Sequence, residues 1–423
     1  MNYKVMIISD SPLKQTGYGR QVRDLYTMFR NLGHAVVFIG MHSEIQGTAV
    51  QDYEGSKVYA MQGPVDPTPN GNWVGPDKHW LQQAVLIEEP DIIIMVWDLR
   101  KLLGICRDFD RFFRCPVYLY WLFDSDPISF QYIELMKRTR VRVLPVTQCI
   151  SKWLDDAKIP FDFRAIPEPV DLSKFYPLPD ETRKRLKLFM LGLNAEKVCF
   201  GFVGGNFQRK NIPMLIDAFA ALPKDIRDDS VLLLHTDPGA WRLNAQSFDL
   251  HGIIDAYHPE LKDQIIFSQS NNDLKFNMCE VYGIMDWQVS GAHGEGWGLM
   301  TNEGMACGVP MIIGDISTSE EIMGDVGFRI PISGYLYTPY PYLRVTIPDF
   351  ETFVDGMKRA YQITRSQELH PAFPEWDIRS RKLGYAKDYF GKLRLECVER
   401  AKLFCMERVQ ADWAEFFEYL DLI

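Results

Sequence analysis

Short apolar runs alternate along the chain with segments in which apolar residues return every three or four positions. The runs Lys4–Ser9, Ala35–Ile39, Asp91–Val96, Pro116–Trp121 and Val141–Val146 predict strands, and Tyr18–Leu32, stopped by Gly33, predicts a helix. A second series predicts strands at Val198–Val203, Val231–His235, Ile265–Phe267, Ile284–Val289 and Val309–Ile313. Its helices are predicted at Ile212–Ala221, Asp273–Tyr282 and Gly298–Cys307, the last closed by Gly308. Near-continuous apolar strands with helices between them predict parallel sheets covered on both faces.

The prolines of Ile166-Pro167-Glu168-Pro169-Val170-Asp171 and Tyr176-Pro177-Leu178-Pro179 mark a stiff connector between two comparable halves. Gly63–Trp80, rich in Gly, Pro and Asn and carrying Trp73 and Trp80, reads as a long loop, as does Tyr335–Tyr342. The last ~45 residues read as helical, with Trp413, Phe416, Phe417 and Leu420 on one face of the final stretch.

Composition narrows the class. A chain of 423 residues should form two domains, and 13% aromatic residues suffice for large cores and stacking surfaces. The net charge of −10 argues against a broad nucleic-acid footprint. The basic cluster Lys137-Arg138-Thr139-Arg140-Val141-Arg142 reads as a solvated helix end leading into a strand. Eight cysteines are scattered without any Cys-x-x-Cys pair, which suggests neither a zinc knuckle nor a disulfide framework. The chain enters a strand at once, without a signal-like segment, and no apolar run approaches the ~18 residues of a membrane span. The expectation is a cytoplasmic protein.

The chemistry concentrates in Gly294–Pro310. Glu295 leaves the carboxyl end of a strand, where open α/β sheets bind ligands, and glycines at 294, 296 and 298 let backbone N–H groups approach an anion at the helix N-terminus. Glu303 lies inside the helix, and its neighbours at three and four residues are Leu299, Met300, Ala306 and Cys307. No Lys or Arg on the same helix can pair with it, so it is expected to meet ligand hydroxyls.

Two glycine-bearing loops follow the first strand of each half: Thr16-Gly17-Tyr18-Gly19-Arg20, and Gly204-Gly205-Asn206-Phe207-Gln208-Arg209-Lys210-Asn211. A nicotinamide-binding reading fails on the missing third glycine and on the lack of an acid where the second strand ends, at Gly40-Met41-His42. Arg209 and Lys210 precede a helix N-terminus, where cations oppose the helix dipole, and a diphosphate would account for them.

Gly-Glu-Gly-Trp-Gly-Leu followed by Glu-Gly-Met-Ala-Cys-Gly-Val-Pro resembles the E-x7-E signature of retaining glycosyltransferases of family four. Thr-Gly-Tyr-Gly-Arg, Arg-Lys-Asn, Leu-Leu-His-Thr-Asp-Pro at 233–238 and the connector at 166–171 extend the likeness over most of the chain. The resemblance implies the GT-B fold: two Rossmann-like domains facing each other across a cleft, with the C-terminal helix returning to the N-terminal domain. It implies an acceptor-side domain at 1–172, joined by the returning helix at 400–423, and a nucleotide-sugar-binding domain at 173–399. It places Glu295 on donor-sugar hydroxyls, Glu303 on the ribose, and the backbone at Trp297, Gly298 and Leu299 on phosphate. Arg209 and Lys210 would neutralise the leaving diphosphate. Gly17 and Gly19 would line the cleft from one side, Gly204 and Gly205 from the other.

The chain departs from the family pattern where an arginine is usual and Gly205 and Asn206 stand, and where a connector histidine is usual and Glu168 stands. The family's N-terminal active-site histidine has no clear counterpart. Asp124, in Asp124-Ser125-Asp126, is the candidate for that region, with a helix cap and a metal-binding Asp-x-Asp as competing readings. The implied activity is retaining, metal-independent transfer of a sugar from a nucleotide-diphosphate sugar to an acceptor hydroxyl on a glycan, lipid-linked carrier or small molecule. No cofactor is called for. A phage-type transferase acting on hydroxymethylated DNA bases and a non-catalytic nucleotide-sugar-binding subunit are the alternatives.

Overall fold

A computed structural model describes residues 1–41, 48–61, 78–96, 113–123, 128, 130–242, 244, 246–269, 276–337, 343–368, 377 and 386–422. The first half is built on β1 (Lys4–Asp10), β2 (Ala35–Met41), β3 (Thr48–Tyr53), β4 (Ser56–Met61), β5 (Ile92–Met95), β6 (Val117–Trp121) and β7 (Arg142–Pro145). They form one sheet in the order β3-β4-β2-β1-β5-β6-β7, parallel except for β3, which turns back along β4. The β3–β4 hairpin was not foreseen, because its mixed polar sequence gives neither a long apolar run nor a clean helical period.

The second half carries β8 (Val198–Val203), β9 (Ser230–His235), β10 (Ile265–Phe267), β11 (Trp287–Ser290), β12 (Met311–Gly314) and β13 (Gly327–Ile330). Their order is β10-β9-β8-β11-β12-β13, all parallel. Strand order therefore reverses between β8 and β11, which opens a crevice at their carboxyl ends, the place where such sheets bind ligands. The expected strand at Ile284–Val289 is shorter, because Ile284 still caps the preceding helix, Met278–Gly283.

Two loop expectations need correction. Trp80 belongs to a helix, Lys78–Glu88, whereas residues 62–77 lie outside the described segments. Tyr335–Tyr337 belongs to β14 (Ile332–Tyr337), paired antiparallel with β15 (Arg344–Pro348). Alternation over so few residues is masked by tyrosines, which suit either strands or loops.

The C-terminal helix, Met406–Leu420, lies on the first half. Trp413 and Phe417 pack edge-on to Phe29 at 4.9 and 5.2 Å, and Phe416 packs on Tyr118 at 5.0 Å. Such aromatic contacts add to the burial of large apolar rings. The chain thus crosses between the halves twice. The crossings meet where the Val170 N–H donates to the Phe404 carbonyl at 2.8 Å. Among the described residues, no helix is long and apolar enough to cross a membrane.

Candidate functional site

The crevice between β8 and β11 gathers three predicted residues into one cluster. After β8 the chain passes Gly204 and Gly205 into a short turn, Gln208–Lys210, which ends on Asn211 in the left-handed conformation before the helix Ile212–Ala220. After β11 it enters the turn that carries Glu295. Arg209 Nη1 reaches Glu295 Oε2 at 2.8 Å and also donates to the Gly294 carbonyl, while Lys210 Nζ reaches Glu295 Oε1 at 2.5 Å. Burial alone would push the Glu295 carboxyl up, but the Arg209 and Lys210 charges and their hydrogen bonds outweigh it and hold the group at about 2. Glu295 is therefore a buried, ionised anchor for two cations at the mouth of the crevice.

Immediately downstream, Gly298 sits at φ 104°, a conformation that disfavours any side chain bearing Cβ, and begins the helix Leu299–Ala306. Gly298 has no side chain with which to cap that helix, so the first-turn N–H groups, beginning with Leu299, carry no side-chain cap. An uncapped N-terminus beside two cations is suited to an anion. Trp297 is buried and packs edge-on to Phe404 at 5.1 Å, which locks this turn to the second crossing segment.

Glu303, on that same helix, corrects the expectation of an unpaired carboxylate. Tyr282 donates its hydroxyl to Glu303 Oε2 at 2.5 Å, and Arg20 of the first half forms an ion pair with Glu303 Oε1. The intrahelical argument was sound as far as it reached. The partners come from another helix of the second half and from the opposite half, which no spacing rule along one helix can see. Burial pushes the Tyr282 hydroxyl far above the usual phenol range, so Tyr282 acts as a donor to Glu303.

In the first half, Thr16 caps the helix α1 (Gly17–Asn31) by accepting from the Gly19 N–H at 3.0 Å, and donates to Asp10 at 2.7 Å. Gly19 has a packing reason to be glycine, since a Cβ there would lie 2.5 Å from the Lys14 carbonyl. Gly17 has nothing within 4 Å of such a Cβ. In the opposite loop, a Cβ on Gly205 would run into the Phe207 ring at 2.4 Å. Asn206, which stands near the position of the missing arginine, is buried and ties two loops together by donating to Asp237 O at 3.2 Å and Phe248 O at 2.7 Å.

Asp124 lies outside the described residues, as do Ser125 and Asp126. Sequence reasoning missed Arg20 and Tyr282 as site residues. Arg20 ends the quoted Thr-Gly-Tyr-Gly-Arg motif, but only the glycines were given a role there. Thr236 Oγ1, just after β9, and the two side-chain polar atoms of Asn302, next to Glu303 along the chain, are buried without a hydrogen-bond partner among the described residues.

Residues 184–342 match the family model for glycosyl transferases group 1, a segment that contains the β8 and β11 loops and Glu303. No curated protein sequence shows a significant match to the chain. Among solved structures, sucrose-phosphate synthase from Thermosynechococcus elongatus is similar at 16% identity, with 100% of both chains covered and a TM-score of 0.69. A glycosyltransferase from Rickettsia africae gives 13% identity, 99% coverage of both chains and a TM-score of 0.67. The Anabaena protein HepE, solved in complex with UDP, gives 15% identity, 98% of this chain, 99% of that chain and a TM-score of 0.64. These likenesses extend over both halves and their crossing segments. The chain has the GT-B fold, with two Rossmann-like units and a C-terminal helix that returns to the first.

Proposed function

We propose that the chain is a retaining glycosyltransferase that moves a sugar from a nucleotide-diphosphate sugar to an acceptor hydroxyl. The observation that carries this reading is the convergence of Arg209, Lys210 and Glu295 beside the uncapped helix N-terminus at the strand-order reversal. In this reading the diphosphate lies against the N–H groups from Trp297 to Leu299, with Arg209 and Lys210 taking the charge that develops as it leaves. Glu303 takes the ribose hydroxyls, Glu295 those of the donor sugar, and the glycine loops at 17–19 and 204–205 line the two walls.

The reaction forms a bond from the acceptor oxygen to the sugar's anomeric carbon as the bond to the diphosphate breaks on the same face. The departing phosphate oxygen accepts the acceptor's proton, so the protein contributes positioning and charge stabilisation rather than a nucleophile. No metal or cofactor takes part in this scheme. Residues 1–172 with 400–423 form the acceptor side, 173–399 the donor side, and Asp124 is assigned to the acceptor side of the cleft. The acceptor is a glycan, a lipid-linked carrier or a small molecule, and the setting is cytoplasmic. UDP-sugars come first as donors, because HepE was solved with UDP-glucose.

A thermal-shift screen of UDP-, GDP- and ADP-sugars tests the donor site, since a ligand at ~100 times its dissociation constant stabilises by about 2.7 kcal/mol. Proton NMR of the product then reports the anomeric configuration. Absence of any stabilising nucleotide sugar overturns the reading, and binding without hydrolysis or transfer replaces it with a non-catalytic sugar-nucleotide binder. An inverted product overturns retention. Transfer to hydroxymethylated DNA alone moves the acceptor to a base. Activity that needs added Mn2+ and is lost in Asp124→Asn overturns the metal-free scheme.

A further inference from the structure

Arg20 is a cation that the scheme above leaves without a task. It stands in the first turn of α1, next to Gly19, and pairs across the cleft with Glu303 Oε1. Its Nε lies 3.6 Å from Asp24, and its guanidinium sits 5.1 Å from the ring centre of Phe175, in the segment that joins the halves. The other Glu303 oxygen is taken by Tyr282 at 2.5 Å, so both oxygens of this carboxylate are engaged within the protein.

Glu303 is 6% exposed with both partners in place, so a ribose that donates hydroxyls to it must displace one of them. Tyr282 is fully buried on a helix of the same half and moves with Glu303. Arg20 is partly exposed and belongs to the opposite half, so Arg20 is the partner that yields. Its destination is near. Glu303 lies four residues along its helix from Leu299, about 6 Å at the rise of an α-helix, so a guanidinium on Glu303 stands roughly one turn from the uncapped N-terminus.

Charge gives the exchange a purpose. In the second half, Arg209 and Lys210 share Glu295, which leaves these three groups one net positive charge. A diphosphate ester brings two negative charges, and the loop position that could have supplied another cation holds Gly205 and the buried, structurally committed Asn206. We infer that Arg20 is a cross-cleft switch, paired with Glu303 until the ribose takes that carboxylate and then carrying its charge to the diphosphate, so that the first half contributes a cation to the donor. This inference rests on the donor-site reading of the preceding subsection.

Calorimetry with uridine and with uridine diphosphate on the full chain separates the two halves of the exchange, with the guanosine pair substituted if the donor screen selects that base. Arg20→Gln should bind the nucleoside about fivefold more tightly, because Glu303 no longer has to release a guanidinium. The same variant should lose about tenfold of the affinity that the diphosphate adds to the nucleoside. Arg20→Lys, which keeps the charge, should retain most of that diphosphate increment, and Tyr282→Phe should weaken the nucleoside without changing it. Equal losses on both probes in Arg20→Gln, at an unchanged melting temperature, overturn the switch and leave Arg20 as a residue that merely orients Glu303. No change on either probe overturns it as well. Wild-type protein that binds neither probe overturns the donor reading itself, and the inference with it.

Discussion

Strand β11 carries a buried carboxylate at each end, and the two are near twins. Asp286, just before the strand, accepts from Arg183 at 2.5 Å, Lys187 at 3.0 Å and the Cys199 N–H at 2.8 Å. Glu295, just beyond it, is held by Arg209 and Lys210. Each has one arginine and one lysine, and each is held at about 2 by those charges against the opposing effect of burial. What differs is the end of the sheet. Arg183 and Lys187 lie on one helix, Asp180–Leu191, and fasten it to the amino edge of β8 and β11. The partners of Glu295 lie on a loop at the carboxyl edge, where the crevice opens. A perturbed carboxylate is thus evidence of a function only together with its place in the sheet.

The largest expected effect tests the structural twin. Asp286→Asn leaves Arg183 and Lys187 without their anion and should cost about 3–5 kcal/mol of unfolding free energy. Turnover per folded molecule should stay close to wild type. Denaturant unfolding paired with active-site titration checks this, and a selective loss of turnover would erase the distinction between the two ends.

Glu295→Gln should show the reverse. Turnover with a nucleotide sugar should fall by about 100-fold per folded molecule, near 2.7 kcal/mol of transition-state stabilisation. Comparing free nucleoside diphosphate with nucleotide sugar in calorimetry adds detail, since the proposed scheme gives the sugar to Glu295 and the nucleotide to Glu303. Matching losses for Glu295→Ala and Glu303→Ala on both ligands would remove that division.

Acid should weaken both twins in the same sense. Their folded-state carboxyls are depressed, so the stability they contribute is full above the ordinary carboxylate pKa of about 4 and is lost as pH falls through about 2. Each should account for roughly 2–3 kcal/mol of the loss between pH 5 and pH 2. Urea unfolding across that range should be less pH-dependent in Asp286→Asn, and an unchanged slope would show that Asp286 is not ionised by its partners.

The smallest effect concerns the cations individually. Arg209→Ala or Lys210→Ala should lower kcat/KM by at least about tenfold, some 1.4 kcal/mol, because in the proposed scheme the remaining cation still serves both Glu295 and the diphosphate. Wild-type turnover in the double variant would place the diphosphate elsewhere.

Much of this layout was legible along the chain. β8, β10 and the helices beginning at Ile212 and near Gly298 follow from apolar runs, Gly308 and the prolines, because those signals are local. The placement of the 209–210 loop and of Glu295 after strands was legible along the chain, whereas their shared role at a diphosphate was implied only by the family resemblance. The β3–β4 hairpin and the Tyr335–Tyr337 strand escaped, because their residues suit a turn as well as a ladder and only pairing selects the ladder.

Taken by itself, the sequence determined the βα alternation of each half, the proline connector, and the placement of Glu295 in a turn and Glu303 on a helix. These depend on backbone preferences and on side-chain periods of two and 3.6, which act over a few residues. Tertiary structure alone decided who meets whom: Arg209 and Lys210 on Glu295, Tyr282 and Arg20 on Glu303, and Trp413 against Phe29. Those partners are separated by 21 to 384 positions, so their meeting is set by strand order and by the approach of the two halves, neither of which local preference encodes.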